Sequence, residues 1–495
     1  MTEYYILKPK KLDLKQRVEK YKPNFDFNID CAYFFISGII EETQYSFDEK
    51  KQKINWNEFE ENCNIKKHFI PRYSPINKKY NPDYKKHIEF LMEDYTNDGR
   101  ILWGEPYRVG KSFGYQLPKF YFNGELEIYK ITDKNLLNRI TKHQKPSRID
   151  NAVRKKYNFL VNYFDKDRLK IIEPESAMED LFAKFKETKN TKKYLSNATE
   201  LINMMNNKFP FYHKKYSDGR IHTAITNFPK KIRKYLRYDN EILGEVDLSS
   251  SIPFIIYYIL DRVVNNSVEE LCGRISNKYL LHFMLGKQVV AIDSKELKRF
   301  GQLIMNNKLY ETLMYDFLDI HLLDANLKPD EYLQVNFQKL FDRPFDGDLD
   351  DLKKFAKKRI LSMLFAKPHH FINEQAIFQK YFPTIHLYLK QYKQSRCKEL
   401  VGIGQHKKLS YLGFQIESDF MLNHIARDFN NEYKRKKIII SLHDCLITQK
   451  KDVPLLHDFM RNKFIELIGY SPNLKIEYWE EPNNNVIEVE IKKSA

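Results

Sequence analysis

Cysteine is scarce and scattered: the five in this 495-residue chain are Cys31, Cys63, Cys272, Cys397 and Cys445, and no two form a CxxC pair. That excludes a zinc framework and a disulfide scaffold, and it suits a reducing compartment. Glycine (16) and proline (19) are too few for a flexible linker or a low-complexity segment. No period of 20–50 residues repeats, which argues against a solenoid. Long apolar runs are also missing. The longest, Ile252 to Leu260, is far short of the ~20 residues that span a bilayer. The opening MTEYYILKPKK has no signal-peptide core, so a cytoplasmic location is expected. What the chain does have is charge and aromatic bulk. It carries 83 Lys+Arg against 66 Asp+Glu, a net +17, with 42% hydrophobic and 14% aromatic residues. Such a chain can bury a core, and its basic excess points to a polyanionic partner.

The first 75 residues are mixed in pattern. Over 82–132 the text reads as a helix, DYKKHIEFLMEDY, followed by two short strands around a polar turn, RILWGEPYRVGKSFGYQLPKF. A helix followed by a basic hairpin is the outline of a winged helix, and of many other small α+β units. Gly110-Lys111-Ser112 in that turn is not a phosphate-binding loop, because the glycine that loop needs five positions earlier is Glu105. Residues 133–208 are Lys-rich and helical by period, either a solvated bundle or a basic clamp on a nucleic acid backbone.

Four later segments carry the chemistry. SDGRIHTAITNFPKKIRKYLR joins a glycine turn to a basic helix containing Arg233 and Lys234. ILGEVDLSSSIPFIIYYIL reads as a buried strand that runs into a helix near Ile252, with Ser249 to Ser251 as its cap. Asp247 stands in the middle of this apolar text, where an unpaired carboxylate is costly to bury. LDDLKKFAKKRILSMLFAKP is a helix with Lys353, Lys357, Leu361 and Phe365 along one face, its positive end capped by an Asp346–Asp351 cluster that lacks EF-hand spacing. LGFQIESDFMLNHIARDF leads into KKIIISLHDCLIT, a hairpin with His443-Asp444 at its turn. Asp247 and Asp444 each interrupt a hydrophobic strand. On neighbouring strands they would share two divalent cations about 4 Å apart, the geometry of phosphoryl transfer. Mg²⁺ suits such an oxygen-only site, with Mn²⁺ as a substitute. His369 and His370 read as loop residues, Tyr310 as core, and Trp56, Trp103 and Trp479 form no cluster.

In their order these segments resemble the palm and fingers of family A DNA polymerases and the related single-subunit RNA polymerases, over roughly residues 210–470. GRIHTAITNFP is similar to the segment that places a minor-groove-reading arginine, here Arg220. EVDLSSSIP is similar to motif A, with Asp247 as first metal ligand. Lys353, Lys357 and Phe365 follow motif B and would meet the triphosphate and incoming base. Gln415 takes the place of the glutamine in the helix before motif C. LHDC is similar to motif C, with His443 at the primer end and Asp444 as second ligand.

The departures are specific. Lys353 replaces an arginine, Phe365-Ala366 replaces Tyr-Gly, and Ile252 stands where the DNA enzymes carry a sugar-gating glutamate. No DxE precedes residue 200, so the proofreading signature is missing. The resemblance implies an α+β, mainly helical right hand with an antiparallel palm sheet. An N-terminal α+β region (1–132, winged-helix-like at 82–132) would precede a thumb (133–208), palm (209–265), fingers (266–400) and palm again (401–495). It implies template-directed primer extension with a slight lean to DNA, and primer-template and nucleoside triphosphates as partners. A template- or primer-independent nucleotidyltransferase, an RNA-type polymerase and a non-catalytic DNA-binding protein of a mobile element are the alternatives.

Overall fold

The computed structural model describes residues 3–46, 69–95, 98–107, 112–122, 124–215, 217–265, 267, 278–285, 290–318, 329–341, 343–396 and 404–480. Cys63, Cys272, Cys397, Trp56 and the Gly110-Lys111 pair lie outside these residues. The chain is α+β, with antiparallel pairing in every named sheet. Among the described residues, no helix is long and apolar enough to cross a membrane.

The N-terminal region begins with strand β1 (Tyr5–Pro9) and helix α1 (Ile29–Ser46). Then come β2 (Ile70–Pro71), helix α2 (Tyr84–Met92), β3 (Trp103–Glu105), β4 (Gly114–Gln116) and β5 (Leu126–Lys130). The expected helix and hairpin are α2 and β3–β4; the hairpin gains a third strand, in the order β2-β4-β3. β1 pairs with β5 and closes the region. Asp30 of α1 fixes the exit of β5 by accepting from the Thr132 and Asp133 amides, each at 2.6 Å.

Residues 133–208 are helical but not wholly so. Strand β6 (Leu169–Ile171) leaves the helices to join the central sheet beside Leu236–Tyr238, an exchange that helical period cannot reveal. The two longest helices of this stretch, α3 (Pro174–Thr188) and α4 (Thr191–Met205), form a hairpin. Pro174 opens α3 at a position needing no amide donor, and Asn190 caps α4 by accepting from the Lys193 amide at 2.9 Å. A short pair, β7 (Tyr212–His213) and β8 (Ile221–His222), brackets the Ser217–Arg220 turn. The basic helix expected at Arg233-Lys234 is instead a 3₁₀ segment, Lys230–Tyr235. Pro229 before it and β9 (Leu236–Tyr238) after it leave room only for a tight turn.

The central sheet is built on β10 (Glu241–Leu248). Leu243, Val246 and Leu248 are buried, each contributing about 1.5–3 kcal/mol. After β10 come α5 (Ser251–Val264), α6 (Leu309–Met314), α7 (Leu349–Phe365), α8 (Ile372–Tyr381), α9 (Pro383–Gln394) and α10 (Lys407–Ser418). Asp348 caps α7 by accepting from the Asp351 amide at 2.8 Å, the capping role expected of that acidic cluster. A π-helical stretch, Asp419–Ala426, follows α10. The hairpin β11 (Ile440–Leu442) and β12 (Cys445–Gln449), helix α11 (Val453–Ile468) and strand β13 (Leu474–Tyr478) complete the fold. The sheet order is β11-β12-β10-β9-β6, with β13 on the other side of β10.

Candidate active site

The register of β10 decides the site. Asp247 stands opposite Cys445 of β12 and opposite Lys475 of β13. The turn of the β11–β12 hairpin is His443-Asp444, with Leu442 paired to Cys445, and His443 takes the left-handed conformation at φ +56°. The Leu248 amide donates to the Asp444 carbonyl at 3.1 Å, which locks the turn against the end of β10. Two carboxylates remote in sequence thus come together, Asp247 on β10 and Asp444 in the turn just before its register partner Cys445.

Their electrostatics follow from that placement. Asp247 has its carboxyl pushed up to about 6, chiefly by burial, then by the Asp444 and Glu245 charges. Lys357 of α7 and Lys475 oppose this without overcoming it. Side chains alternate along a strand, so Glu245 shares Asp247's face. It is held by the Trp479 indole N–H at 2.9 Å and by Arg233 at 3.6 Å. Asp247, unlike Glu245, has no ion-pair partner among the described residues, and a divalent cation between it and Asp444 would relieve their repulsion. Among the described residues no cluster of three or more His, Cys, Asp or Glu side chains is arranged to hold a metal. A pair of carboxylates still fits Mg²⁺, which keeps several waters and takes its remaining oxygens from substrate phosphates.

A residue that the sequence reading passed over sits beneath this pair. Glu417 of α10 is fully buried. It accepts from Arg220 Nε at 2.9 Å, from a second Arg220 nitrogen and from the Ser251 hydroxyl. Burial pushes its carboxyl up to about 7, with Asp444 adding to the rise and Arg220 opposing it. Ser249–Ser251 therefore do not cap α5. Ser250 occupies the left-handed region at φ +53° without a capping bond, and Ser251 turns to Glu417. The signal in the sequence was an acid, Glu417, set between the apolar Ile416 and Phe420 in a helical run.

Arg220 also stacks on Phe414, 4.2 Å from the ring centre, and Phe414 lies 5.4 Å from Phe365 at the end of α7. One chain of contacts thus joins the Arg220 turn to the end of α7. Gln415 donates to the Ser217 carbonyl at 3.0 Å, and Ser418 donates to the Gly219 carbonyl at 2.6 Å. Gly219 has φ +69°, and a Cβ there would lie 3.3 Å from Gln415 Cγ, so α10 grips this turn closely. His443 faces His222 edge-on at 5.5 Å, and His222 meets Asp218 at 3.2 Å. Burial, then Arg220 and His222, push the His443 imidazole down to about 4, so it is neutral at physiological pH, and its Nδ1 has no hydrogen-bond partner among the described residues. Ile252 is buried and faces Gly413, where a Cβ would come within 3.5 Å. Lys353, one turn before Lys357, pairs with Glu311 of α6 at 3.4 Å. Lys353 thus pairs outside the acidic centre. Tyr310 is buried in the core, and His369-His370 lie in a turn, as expected.

No family model matches the chain, and no curated protein matches it. Among solved structures it is similar to the polymerase domain of Pol1 from M. smegmatis, solved with a DNA primer-template and dNTP. The TM-score is 0.32 and the identity 10%, over 60% of this chain and 55% of that one. The chain thus spans little more than half the length of that structure, and the likeness is coarse.

Proposed function

We propose that the protein is a template-directed nucleotidyltransferase that extends a primer strand, with DNA as the favoured product. The observation that carries this reading is the meeting of Asp247 and Asp444 on β10 and the β11–β12 turn, with Lys357 beside them. In this reading the central sheet is the palm, α6 to α9 belong to the fingers and α3–α4 to the thumb.

Asp247 and Asp444 would hold two Mg²⁺ ions, or Mn²⁺ in their place. When bound, such ions neutralise phosphate charge and favour the ionised primer hydroxyl. Lys357 would meet the triphosphate from α7, with Lys353 a second cation one turn away once it leaves Glu311. Phe365 would pack on the incoming base. Arg220, held in place by Glu417 and Phe414, would face the primer-template. Gln415 would act by fixing the turn that carries Arg220. The neutral His443 would offer its unpartnered nitrogen to the primer end. Ile252 supplies only apolar bulk where a sugar would lie, so choice between deoxy- and ribonucleotides would rest on shape.

The test is primer extension with each nucleotide set on DNA and RNA templates. The wild-type protein should extend, and Asp444→Asn should fall about a thousandfold. Its affinity for primed DNA in EDTA should change little. Mg²⁺ should raise the melting temperature of the wild type but not of Asp247→Asn/Asp444→Asn. Equal extension by Asp444→Asn would overturn the assignment.

A further inference from the structure

The N-terminal region holds a cavity that shares no residue with the acidic centre. β1, α1, the helix Ser74–Tyr80 and α2 surround about 260 Å³ of space. Phe34, Phe35 and Tyr80 give it aromatic walls, Phe34 and Tyr80 lying tilted at 5.1 Å. Arg72 and Asn77 bring hydrogen-bond donors to it, and Glu41 and Glu42 bring acceptors.

Arg72 is the unusual member. Its Nη1 donates to Glu42 at 2.8 Å, but the edge formed by Nε and Nη2 is buried without a partner among the described residues. Asn77, only 9% exposed, leaves its Nδ2 in the same state. A buried donor with no acceptor costs about 1–3 kcal/mol, so three in one place point to a bound group. The sequence makes room for this edge. Gly38 lies inside α1, where glycine costs about 1 kcal/mol against alanine, and a Cβ there would collide with Arg72 Nη2. At rest the edge thus lies against a bare stretch of helix; turned into the cavity, it meets the acceptors of whatever is bound there.

Charge and shape narrow the ligand. Glu42 pairs with Arg72, and Lys208, whose ammonium lies 5.8 Å over Tyr4, is attracted to Glu41. The wall is therefore close to neutral and offers neither a phosphate nor an amine a counter-charge. Burial disfavours the charge on both Arg72 and Glu42, which marks the setting as dry. The Nε and Nη2 hydrogens lie side by side in one plane and match two adjacent acceptors on a flat molecule. The N7 and O6 atoms of guanine are such a pair on a neutral ring, and its N1 and N2 hydrogens suit the Glu41 and Glu42 carboxylates. The volume falls just under the ~300–1,000 Å³ of drug-sized ligand sites, which is room for one base and not for a strand.

We propose that this cavity binds the guanine base of a free nucleoside. N7 and O6 would sit on the Nε–Nη2 edge of Arg72, with Asn77 as a further donor and the ring among Phe34, Phe35 and Tyr80. The site uses no residue of the proposed polymerase centre.

Calorimetric titration of guanosine into the full chain, in EDTA, tests this, with melting curves to show that each variant folds. The wild type should bind guanosine and melt at a higher temperature with it. Arg72→Lys keeps the charge beside Glu42 but loses the planar edge, and should bind at least about tenfold more weakly. Asn77→Ala should weaken binding several-fold. 7-Deazaguanosine, which lacks only the N7 acceptor, should lose about tenfold on the wild type, and adenosine, with a donor in place of O6, should lose more. Lys357→Ala and Asp247→Asn/Asp444→Asn should bind guanosine as the wild type does. No binding by the wild type overturns the proposal. So does equal binding by a folded Arg72→Lys, or equal affinity for guanosine and adenosine. Loss of binding in Lys357→Ala also overturns it, by placing the nucleoside at the acidic centre.

Discussion

Asp247 carries a charge that the fold disfavours. Its folded value of about 6 lies above the ordinary ~3.9 of an aspartate, so between those values the folded state keeps a proton that the unfolded chain releases. Stability therefore falls as pH rises through that window and stays lower above it. Asp247→Asn should gain on the order of 1–2 kcal/mol at pH 8 and almost nothing at pH 4, while losing activity. Urea unfolding at the two pH values checks this, and a less stable variant at pH 8 would refute it. Catalysis, in turn, should rise with pH through about 6, as the carboxyl becomes free to bind a cation. Glu417 is also raised by burial, but unlike Asp247 it is paired with Arg220 and Ser251. Glu417→Ala strands the Arg220 guanidinium and should destabilise by about 3–5 kcal/mol. Glu417→Gln keeps the shape and should cost less; equal losses from the two variants would show that the charge is irrelevant.

At the scale of elements, β10 is the axis of the molecule, and Gly244 shows how closely it is packed. A Cβ at that position would lie 2.7 Å from Val453 Cγ2 of α11 and 3.2 Å from the Glu477 carbonyl of β13. Gly244→Ala should destabilise by about 1–3 kcal/mol through overpacking, and should lower activity by shifting Asp247 three residues on. Gly413 is the contrasting case. A Cβ there makes only ordinary contact with Ile252 at 3.5 Å, and alanine suits a helix interior better than glycine. Gly413→Ala should be neutral or stabilising by up to about 1 kcal/mol, and thermal melts of the two variants compare them directly. The two glycines look alike in the sequence, and only the packing around them separates them.

Over the whole molecule, the N-terminal region is bound to the helical hairpin and not tethered loosely to it. Asn206 of the α4 cap exchanges two hydrogen bonds with Tyr5 of β1, at 2.9 and 2.8 Å, and Tyr194 accepts from the Leu126 amide at 2.9 Å. The whole chain carries a net charge of +17. Affinity for primed DNA in EDTA should fall linearly with the logarithm of salt concentration, with a slope that counts the phosphates contacted. A titration from 50 to 200 mM salt measures it. A flat response would remove nucleic acid from the set of partners.

Much of this was legible beforehand, for identifiable reasons. The strand and hairpin bearing Asp247 and Asp444 could be read because a charge inside apolar strand text stands out locally, and the helix of Lys353 and Lys357 because its period is regular. Strand β6, the 3₁₀ turn at Arg233 and the Glu417–Arg220–Ser251 network could not. Strand β6 depends on β9 and the network on three separate segments, all remote in the chain, while the 3₁₀ turn is forced by Pro229 and the start of β9 on either side of it. The amino-acid order alone fixed which residues were amphipathic, capped or out of place. Tertiary packing decided which carboxylates face each other and which are neutralised, because charge interactions in a buried site depend on distance through space, and local sequence does not encode it.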